Sequence, residues 1–437
     1  MFPINSDQLD KIASSLGIAS VADATIRQIV SLAAAIETEC GEPMVHLELG
    51  NPGIQAPALG IEAECEALRN GVASRYPDIA GVPALKRAGS RFAKAFINVE
   101  VDPANVVPTV GSMQGCFTTM LLLGQRDPAK RTMLFINPGF PVQRSQARML
   151  GLNIESFDIY DYRGKALEAK LESYLAKGDV TGIIYSNPNN PAWINLTDEE
   201  LEIIGRLATR YDAEVMEDLA YLGMDFRCCY GKPFVEPYIP TVARYTDNYI
   251  LFISGSKIFS YAGQRIAVVC ISSALASRHF EPLTAIYTTP DYVKSYIYGV
   301  LYCASSGTTH SSQYAFAAML DAACDEKLDF VEECREYERR SNLAREAFKA
   351  NGFHLVYDRD DERPISDGFF FTVGYGDMSG ADLQRRLLAH GIATIPLSGT
   401  GSLQPGVRVC VSTLATPDDF AVLNRRLAAF NAEYKNS

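Results

Sequence analysis

Residues 254–265 read SGSKIFSYAGQR and follow directly on the apolar run YILFI at 249–253. That run has the length and composition of a buried strand, so we expect Lys257 just past the strand's carboxyl end. A desolvated lysine loses its charge readily and becomes a nucleophilic amine that can form a Schiff base with a carbonyl cofactor. Ser254 and Arg265 flank it, and a hydroxyl with a guanidinium is suited to binding a phosphate monoester. On this stretch alone, an ordinary surface lysine is an equally good interpretation.

The composition is typical of a globular protein with more than one domain. The chain has 437 residues, of which 47% are hydrophobic and 21% are charged. Its net charge of −12 argues against nucleic acid or an anionic membrane as a partner. No apolar stretch has the length of a membrane span, and the first residues lack the pattern of a signal peptide.

The cysteines do not follow a recognisable binding pattern. There are ten, without regular spacing, and the adjacent pair Cys228-Cys229 is poorly placed for a disulfide or a zinc site. We therefore predict free thiols, no metal site and a reducing, cytoplasmic environment.

Apolar runs alternate with helical patterns through the middle of the chain, which predicts a largely parallel sheet covered by helices. The main strand patterns lie at 106–110, 132–136, 182–185, 214–221, 249–253 and 266–271. Helical patterns lie at 7–42, 60–72, 327–350, 380–390 and 416–434, and further short strands at 45–49, 352–357, 368–373 and 406–412.

Several predicted strands end in residues suited to binding a ligand. Gly111-Ser112-Met113 follows a strand and opens a helix, where free N–H groups and the helix dipole attract an anion. Asp218 and Tyr221 end another strand, where the carboxylate could hold a ring N–H and the phenol a neighbouring oxygen. Phe140 could offer a flat ring face to a planar cofactor. Each also has an ordinary structural interpretation as a turn, a satisfied polar group or a packed ring.

Taken together, these motifs resemble those of the class I/II aminotransferases, the fold-type I enzymes that depend on pyridoxal phosphate. The resemblance covers nearly the whole chain, with the motifs in family order. Residues 254–265 resemble the cofactor-lysine motif and Asp218-Leu219-Ala220-Tyr221 the Asp-x-x-Tyr pair. Asn189-Asn190-Pro191 resembles the Asn-Pro-Thr-Gly turn, and Gly406-Val407-Arg408 the carboxylate-binding arginine.

The resemblance implies an α/β fold in two domains. The larger would be a three-layer α/β/α domain with a mostly parallel sheet at 54–310. The smaller α/β domain would combine residues 1–53 and 311–437. By the same resemblance the enzyme would be a homodimer, in which Tyr76 reaches the cofactor phosphate of the partner subunit.

The resemblance also implies a role for each site residue. Lys257 would bind pyridoxal 5'-phosphate covalently and later move the proton at the substrate α-carbon, and Asp218 would keep the pyridine nitrogen protonated. Tyr221 and Asn190 would hydrogen-bond the ring hydroxyl oxygen. The remaining cofactor contacts would be the stacked ring of Phe140 and a phosphate cup formed by Ser112, Met113, Ser254 and Arg265. Arg408 would clamp the substrate carboxylate, with Asn190 and the backbone of Gly50 nearby.

Two positions depart from the family pattern. Trp193 stands where the Asn-Pro-Thr-Gly turn has glycine, and Ala267 stands where glycine is common. The indole of Trp193 would either narrow the substrate pocket or pack against the smaller domain, and we favour packing.

The function predicted is transamination between an amino acid and a 2-oxo acid in a two-step, ping-pong exchange. Beta-elimination of the C–S lyase type on the same scaffold is the alternative, because such enzymes share nearly every motif. A DNA-binding regulatory module with this fold is disfavoured by the acidic charge and by the short segment ahead of Gly50. The sequence does not identify the amino acid, and we find no second cation for an acidic side chain.

Overall fold

A computed structural model describes residues 2–435 of the chain. Two compact units can be distinguished. The central unit comprises Ile54–Asn189 and Asn195–Cys334. The terminal unit comprises the residues up to Gly53, the segment Asn190–Ile194 and the residues from Arg335 onward. The terminal unit is therefore built from three separate parts of the sequence.

A seven-stranded sheet organises the central unit within the described residues. Its strands, in spatial order, are Val106–Val110, Ile266–Ile271, Tyr249–Ser254, Glu214–Asp218, Val180–Ser186, Thr132–Asn137 and Asn153–Asp158. Among these, Ile266–Ile271 pairs antiparallel with both of its neighbours, and the other pairings are parallel. Several strands are buried along their whole length, which explains their continuous apolar runs.

Helices cover both faces of this sheet. On one face Val107 and Val269 pack in a cluster with Met120 of the helix Gly111–Arg126. On the other face, Gly89 of the helix Pro83–Ile97 lies so close that an added Cβ would be 2.8 Å from Val106 Cγ1. Because successive strand residues point to opposite faces, the valine pairs at 106–107 and 268–269 serve both layers. The central unit is thus a three-layer α/β/α structure.

The remaining helices of the central unit connect or follow these strands. They are Ala58–Arg69, Pro141–Met149, Ala166–Leu175, Asp198–Tyr211, Gly255–Ile258, Ser273–Ser277, Glu281–Tyr287, Tyr292–Lys294, Tyr302–Ser305, His310–Cys324 and Phe330–Cys334, with a π-helix at Ser295–Leu301. The helix Asp198–Tyr211 begins with a capping box between Thr197 and Glu200.

The terminal unit contains an antiparallel sheet with helices around it. Its strands, in spatial order, are Ile395–Pro396, Val407–Cys410, Phe370–Gly374 and His354–Leu355, and Val45–His46 pairs separately with Ile392–Ala393. A short hairpin joins Arg359–Asp360 and Arg363–Pro364. The helices are Ser6–Ser15, Ile26–Cys40, Glu336–Ala350, Gly380–Ala389 and Pro417–Tyr434.

The structure confirms the predicted fold class and corrects two helices and one strand, because the strand predicted at 214–221 ends at Asp218 and Tyr221 lies in the turn that follows. The helical pattern at 7–42 is two helices, because Gly17 adopts a left-handed conformation and Thr25 caps a new helix. The pattern at 327–350 likewise divides at Arg335. The proposed domain boundaries at 54–310 and at 1–53 with 311–437 stay a prediction; helix His310–Cys324 is grouped with the central unit. Within residues 2–435, no helix has both the length and the apolar character to cross a membrane.

Candidate active site

Two site residues predicted from the sequence lie at the same edge of the central sheet. Asp218 is the last residue of its strand and is in register with Phe252 of the next, parallel strand. That next strand ends at Ser254 and leads directly into the one-turn helix Gly255–Ile258, which carries Lys257. Since neighbouring parallel strands end at one edge, the carboxylate and the amine are placed by adjacent strand ends.

The backbone that carries Lys257 is held at several points. Ser254 caps the short helix, its hydroxyl accepting from the Ser256 N–H at 3.1 Å. Tyr261 lies four residues after the lysine, and its backbone N–H donates to the Gly255 carbonyl at 2.9 Å. The phenol hydroxyl of Tyr261 donates to the buried carboxylate of Glu64. The Lys257 side chain itself is half-buried. These contacts fix the loop, so the amine projects from a rigid base.

The carboxyl group of Asp218 is buried and held from one side. Its Oδ2 accepts from Gln143 Nε2 at 3.0 Å, whereas its buried Oδ1 has no hydrogen-bond partner within residues 2–435. Burial raises the pKa of Asp218 to about 6, opposed by the nearby Ala220 N–H and the Gln143 amide. A buried carboxylate oxygen that lacks a donor is costly, and a ring N–H⁺ placed there would relieve the cost.

Gln143 is a site residue that the sequence reading missed. It lies in the first turn of the helix Pro141–Met149, three positions after Phe140, and its Nε2 also lies 3.7 Å from Cys116 Sγ. Its side chain is buried, which the sequence around it does not indicate. Its amide orients Asp218 so that the other carboxylate oxygen remains available.

Replacing Gln143 with leucine is expected to lower kcat about 10-fold and to raise the pKa of Asp218 above its present value of about 6. The lost amide N–H stabilises the charged form of the carboxylate, so its removal favours the protonated form. The measurement is kcat against pH, together with retention of the cofactor on dialysis. Gln384→Leu is the matched control, because Gln384 is a buried glutamine of the terminal unit that donates to the Thr394 carbonyl. Equal losses in both variants would contradict a specific role for Gln143.

Two of the residues predicted to hold a phosphate, Ser112 and Met113, lie in the first turn of the helix Gly111–Arg126. Gly111 has a φ of +64°, and a Cβ added there would lie 2.7 Å from Arg265 Nη2, so the guanidinium lies over the helix N-terminus. The Ser112 hydroxyl oxygen is buried without a hydrogen-bond partner within the described chain. The Arg265 Nη1 donates to the Ala262 carbonyl at 3.0 Å, and no ion pair joins this guanidinium to a carboxylate within residues 2–435. Free amides, a hydroxyl and an arginine without an acidic partner together suit a phosphate dianion.

Three aromatic residues complete the predicted set in the central unit. Phe140 caps the helix Pro141–Met149 with a half-buried ring, and Tyr221 is buried in the turn that follows Asp218. Tyr76, by contrast, is 89% exposed.

Arg408 is buried in the terminal unit, where it contacts the Asn190 turn. It lies on the strand Val407–Cys410, and its Nη1 donates to Asn190 Oδ1 at 3.3 Å. Its Nη2 donates to the Glu48 carbonyl. The structure therefore brings together Arg408 and Asn190, which are far apart in sequence. Gly50 follows two residues after Glu48, and a Cβ there would lie 3.2 Å from Phe370 Cζ.

Residues 43–427 match the family described as aminotransferase class I and II, and the chain therefore belongs to that family. The prediction of an aminotransferase made from the motifs is thereby confirmed at the level of the family.

Individual relatives are similar at low identity. A probable aspartate aminotransferase of Methanocaldococcus jannaschii is 25% identical over 86% of this chain and 89% of its own length. The glutamate-pyruvate aminotransferase AlaC of Escherichia coli is 29% identical, over 54% of this chain and only 56% of its own length. The solved aspartate aminotransferase of Thermus thermophilus with maleate superposes with a TM-score of 0.75 at 20% identity, covering 93% of this chain and 96% of that one. This superposition supports the fold.

Proposed function

We propose that this protein is an aminotransferase that binds pyridoxal 5'-phosphate through Lys257 and moves an amino group from an amino acid to a 2-oxo acid. The observation that carries the proposal is Asp218, a buried carboxylate with one oxygen held by Gln143 and the other lacking a donor. Asp218 ends the strand that pairs directly with the strand leading to Lys257. Three groups lie along one sheet edge: a carboxylate, an amine and an anion site. They are complementary to the ring nitrogen, the aldehyde and the phosphate of a phosphorylated pyridine aldehyde.

The residues fit the cofactor group by group. Asp218 would accept the hydrogen bond of a protonated ring nitrogen, and Phe140 would stack on the ring. Tyr221 and Asn190 would donate to the ring hydroxyl oxygen. The phosphate would be held by the amides of Ser112 and Met113, the Ser254 hydroxyl and Arg265.

When bound, pyridoxal phosphate withdraws electrons from the substrate α-carbon and makes its C–H bond acidic. Once the substrate's amino group has displaced it from the cofactor, Lys257 would accept that proton as a neutral amine and return it to the cofactor carbon on the other side of the substrate nitrogen, two atoms away. Asp218 would keep the ring nitrogen protonated, and its burial strengthens this interaction because no water screens it.

On the substrate side, Arg408 would bind the carboxylate that amino acids and 2-oxo acids share. Its fork geometry matches both carboxylate oxygens. Asn190 already contacts Arg408, and Gly50 lies close to the ring of Phe370, which the guanidinium of Arg408 also contacts.

We further propose a homodimer in the cytoplasm, with Tyr76 of each subunit donating to the phosphate held by the other. The support is the high exposure of the Tyr76 ring. In a dimer, Tyr76→Phe would weaken cofactor retention without changing the fold.

The test is a screen of amino donors against purified protein, read from the absorbance of the bound cofactor. The expected result is a spectral shift with at least one amino acid and its reversal by a 2-oxo acid. No shift with any donor would contradict transamination. Release of pyruvate and ammonia from cystathionine without an added 2-oxo acid would point instead to beta-elimination.

Arg408→Ala is expected to raise KM for the amino donor and for the 2-oxo acid by about 10²-fold each, with a smaller change in kcat. The lost contact is to the carboxylate common to both substrates, so both half-reactions lose the same interaction. Steady-state kinetics with each substrate varied in turn checks this. Arg408→Lys keeps the charge but loses the fork, so it should recover only part of the affinity. A KM rise confined to one substrate would argue against a common carboxylate clamp.

A further inference from the structure

We propose that Trp193 is a positioning residue of the substrate-carboxylate site. Through the ring of Phe370 it fixes the guanidinium of Arg408, and with it the Asn190 turn. The inference rests on the proposed function, because it takes Arg408 to be the carboxylate clamp. It concerns residues of the terminal unit alone.

The backbone at Trp193 is in a conformation that tryptophan rarely adopts. Its φ is +62°, in the left-handed region, where a bulky residue is an outlier. The family motif has glycine at this position, and glycine adopts that conformation without strain. Such strain persists only where the surroundings determine it, and it concentrates at functional sites. The side chain must therefore be strongly held.

The contact that holds the indole is with Gly368. The ring is fully buried, and a Cβ added at Gly368 would lie 2.1 Å from its Cε2 and 2.2 Å from its Nε1. No residue other than glycine leaves space for the indole there. Gly368 lies just ahead of the strand Phe370–Gly374, so the indole is packed on the start of that strand.

Phe370 connects the indole to Arg408. Its ring meets Trp193 edge-on, with centroids 6.2 Å apart and planes at 70°. The guanidinium carbon of Arg408 lies 4.6 Å from the Phe370 ring centroid, within the range of a cation–π contact. Thr372 is the direct partner of Arg408 across the two strands, so Phe370 is a diagonal neighbour on the same face.

Each of the three proposed substrate-binding residues is linked to this ring pair. Gly50 approaches Phe370 directly, Arg408 lies on its face, and Asn190 accepts a hydrogen bond from Arg408. Trp193 belongs to the same five-residue segment, Asn190–Ile194, that carries Asn190. The indole thus anchors this segment and the clamp arginine to one strand. Because the Arg408 side chain is already ordered, binding a carboxylate costs less conformational entropy.

The test uses Trp193→Gly, which restores the family residue and removes the strain together with the indole. We expect KM for the amino donor and for the 2-oxo acid to rise together about 10-fold, with kcat changed less than about 2-fold. Retention of the cofactor should change little, because the residues proposed to hold its phosphate lie in the central unit. Trp193→Phe keeps an aromatic edge and should recover most of the affinity. A purely structural tryptophan would lower the unfolding temperature of Trp193→Gly and leave KM unchanged, which would overturn the proposal.

Phe370→Leu tests the same connection if Trp193→Gly fails to fold, and it should also raise both KM values. Its control is Phe371→Leu, the same change one residue along the strand on the opposite face, where the ring packs against Phe348 at 5.7 Å. The control should lose stability and keep its KM. Equal KM values in the two variants would overturn the proposal.

Arg408→Ala distinguishes failure of the positioning role of Trp193 from failure of the proposed function. If Arg408→Ala raises KM and the Trp193 and Phe370 variants do not, the positioning role fails and the carboxylate clamp stands. If Arg408→Ala leaves KM unchanged, the proposed function itself fails. When both proposals hold, Trp193→Gly in the Arg408→Ala background should add little, because the two residues act on one contact.

Discussion

Replacing Lys257 with alanine is expected to leave a folded protein whose transamination rate is at least about 10⁴-fold below that of the wild type. The change removes both the amine that would carry the cofactor and the group that would move the proton at the substrate α-carbon. Because Lys257 is half-buried on a loop held by Ser254 and Tyr261, its truncation should disturb the surrounding backbone little. Turnover is measured with the best donor from the screen, and folding by circular dichroism.

The control for this variant is Lys327→Ala, whose amine pairs with Asp325 at an exposed position. It should keep full activity. Exogenous small amines should partly restore proton transfer in Lys257→Ala, since they can replace the missing base. Appreciable exchange by Lys257→Ala without any added amine would remove Lys257 from the role proposed for it.

Asp218→Asn is expected to lower kcat by about 10²–10³-fold while the fold is preserved. The asparagine amide is nearly the size of the carboxyl group that it replaces, and its oxygen can still accept from Gln143. It carries no negative charge, so it cannot stabilise a protonated ring nitrogen. The matched control is Glu217→Gln on the same strand. Glu217 is fully buried on the opposite face, where it accepts from Thr241, Val242 and Tyr185. Glu217→Gln should lose stability and keep kcat, so comparable losses of kcat in both variants would contradict a role for the charge of Asp218.

The same substitution has a second expected effect once the cofactor is removed. The pKa of Asp218 is raised from 3.8 to about 6 in the folded protein, so the folded state binds the proton more tightly than the unfolded state. Its burial therefore destabilises the fold increasingly as pH rises from near 4 to near 6, and fully above that range. At pH 7.5, cofactor-free Asp218→Asn should be the more stable protein by roughly 2–3 kcal/mol, and the difference should shrink towards pH 4. Urea unfolding at the two pH values measures this; a wild type that is the more stable at pH 7.5 without cofactor would argue against a destabilising charge at Asp218.

Much of the central sheet can be predicted from the sequence because its strands are buried on both sides. Runs such as YILFI at 249–253 leave no polar face, and the residues that end them must lie at one sheet edge. Lys257 is conspicuous for this reason, because it follows such a run, whereas Asp218 ends a strand that also carries Glu214 and Glu217. Helix caps are equally local, and Thr197 with Glu200 predicts the start of its helix from four residues.

What the sequence does not predict depends on contacts between distant residues. Gln143 occupies an ordinary position in a helix, and only the folded chain places its amide against Asp218. Phe370 is one of three consecutive phenylalanines, and nothing local distinguishes the ring beneath Arg408 from its neighbours. The left-handed backbone of Trp193 follows from its contact with Gly368, which no helical or strand periodicity records.

The most direct test of the account is to reduce the cofactor-loaded protein with borohydride, digest it and map the labelled peptide by mass spectrometry. The expected result is one modified residue, Lys257, in the peptide that contains residues 254–265. A label on a different lysine, or protein that binds pyridoxal phosphate and acquires no label, would contradict it.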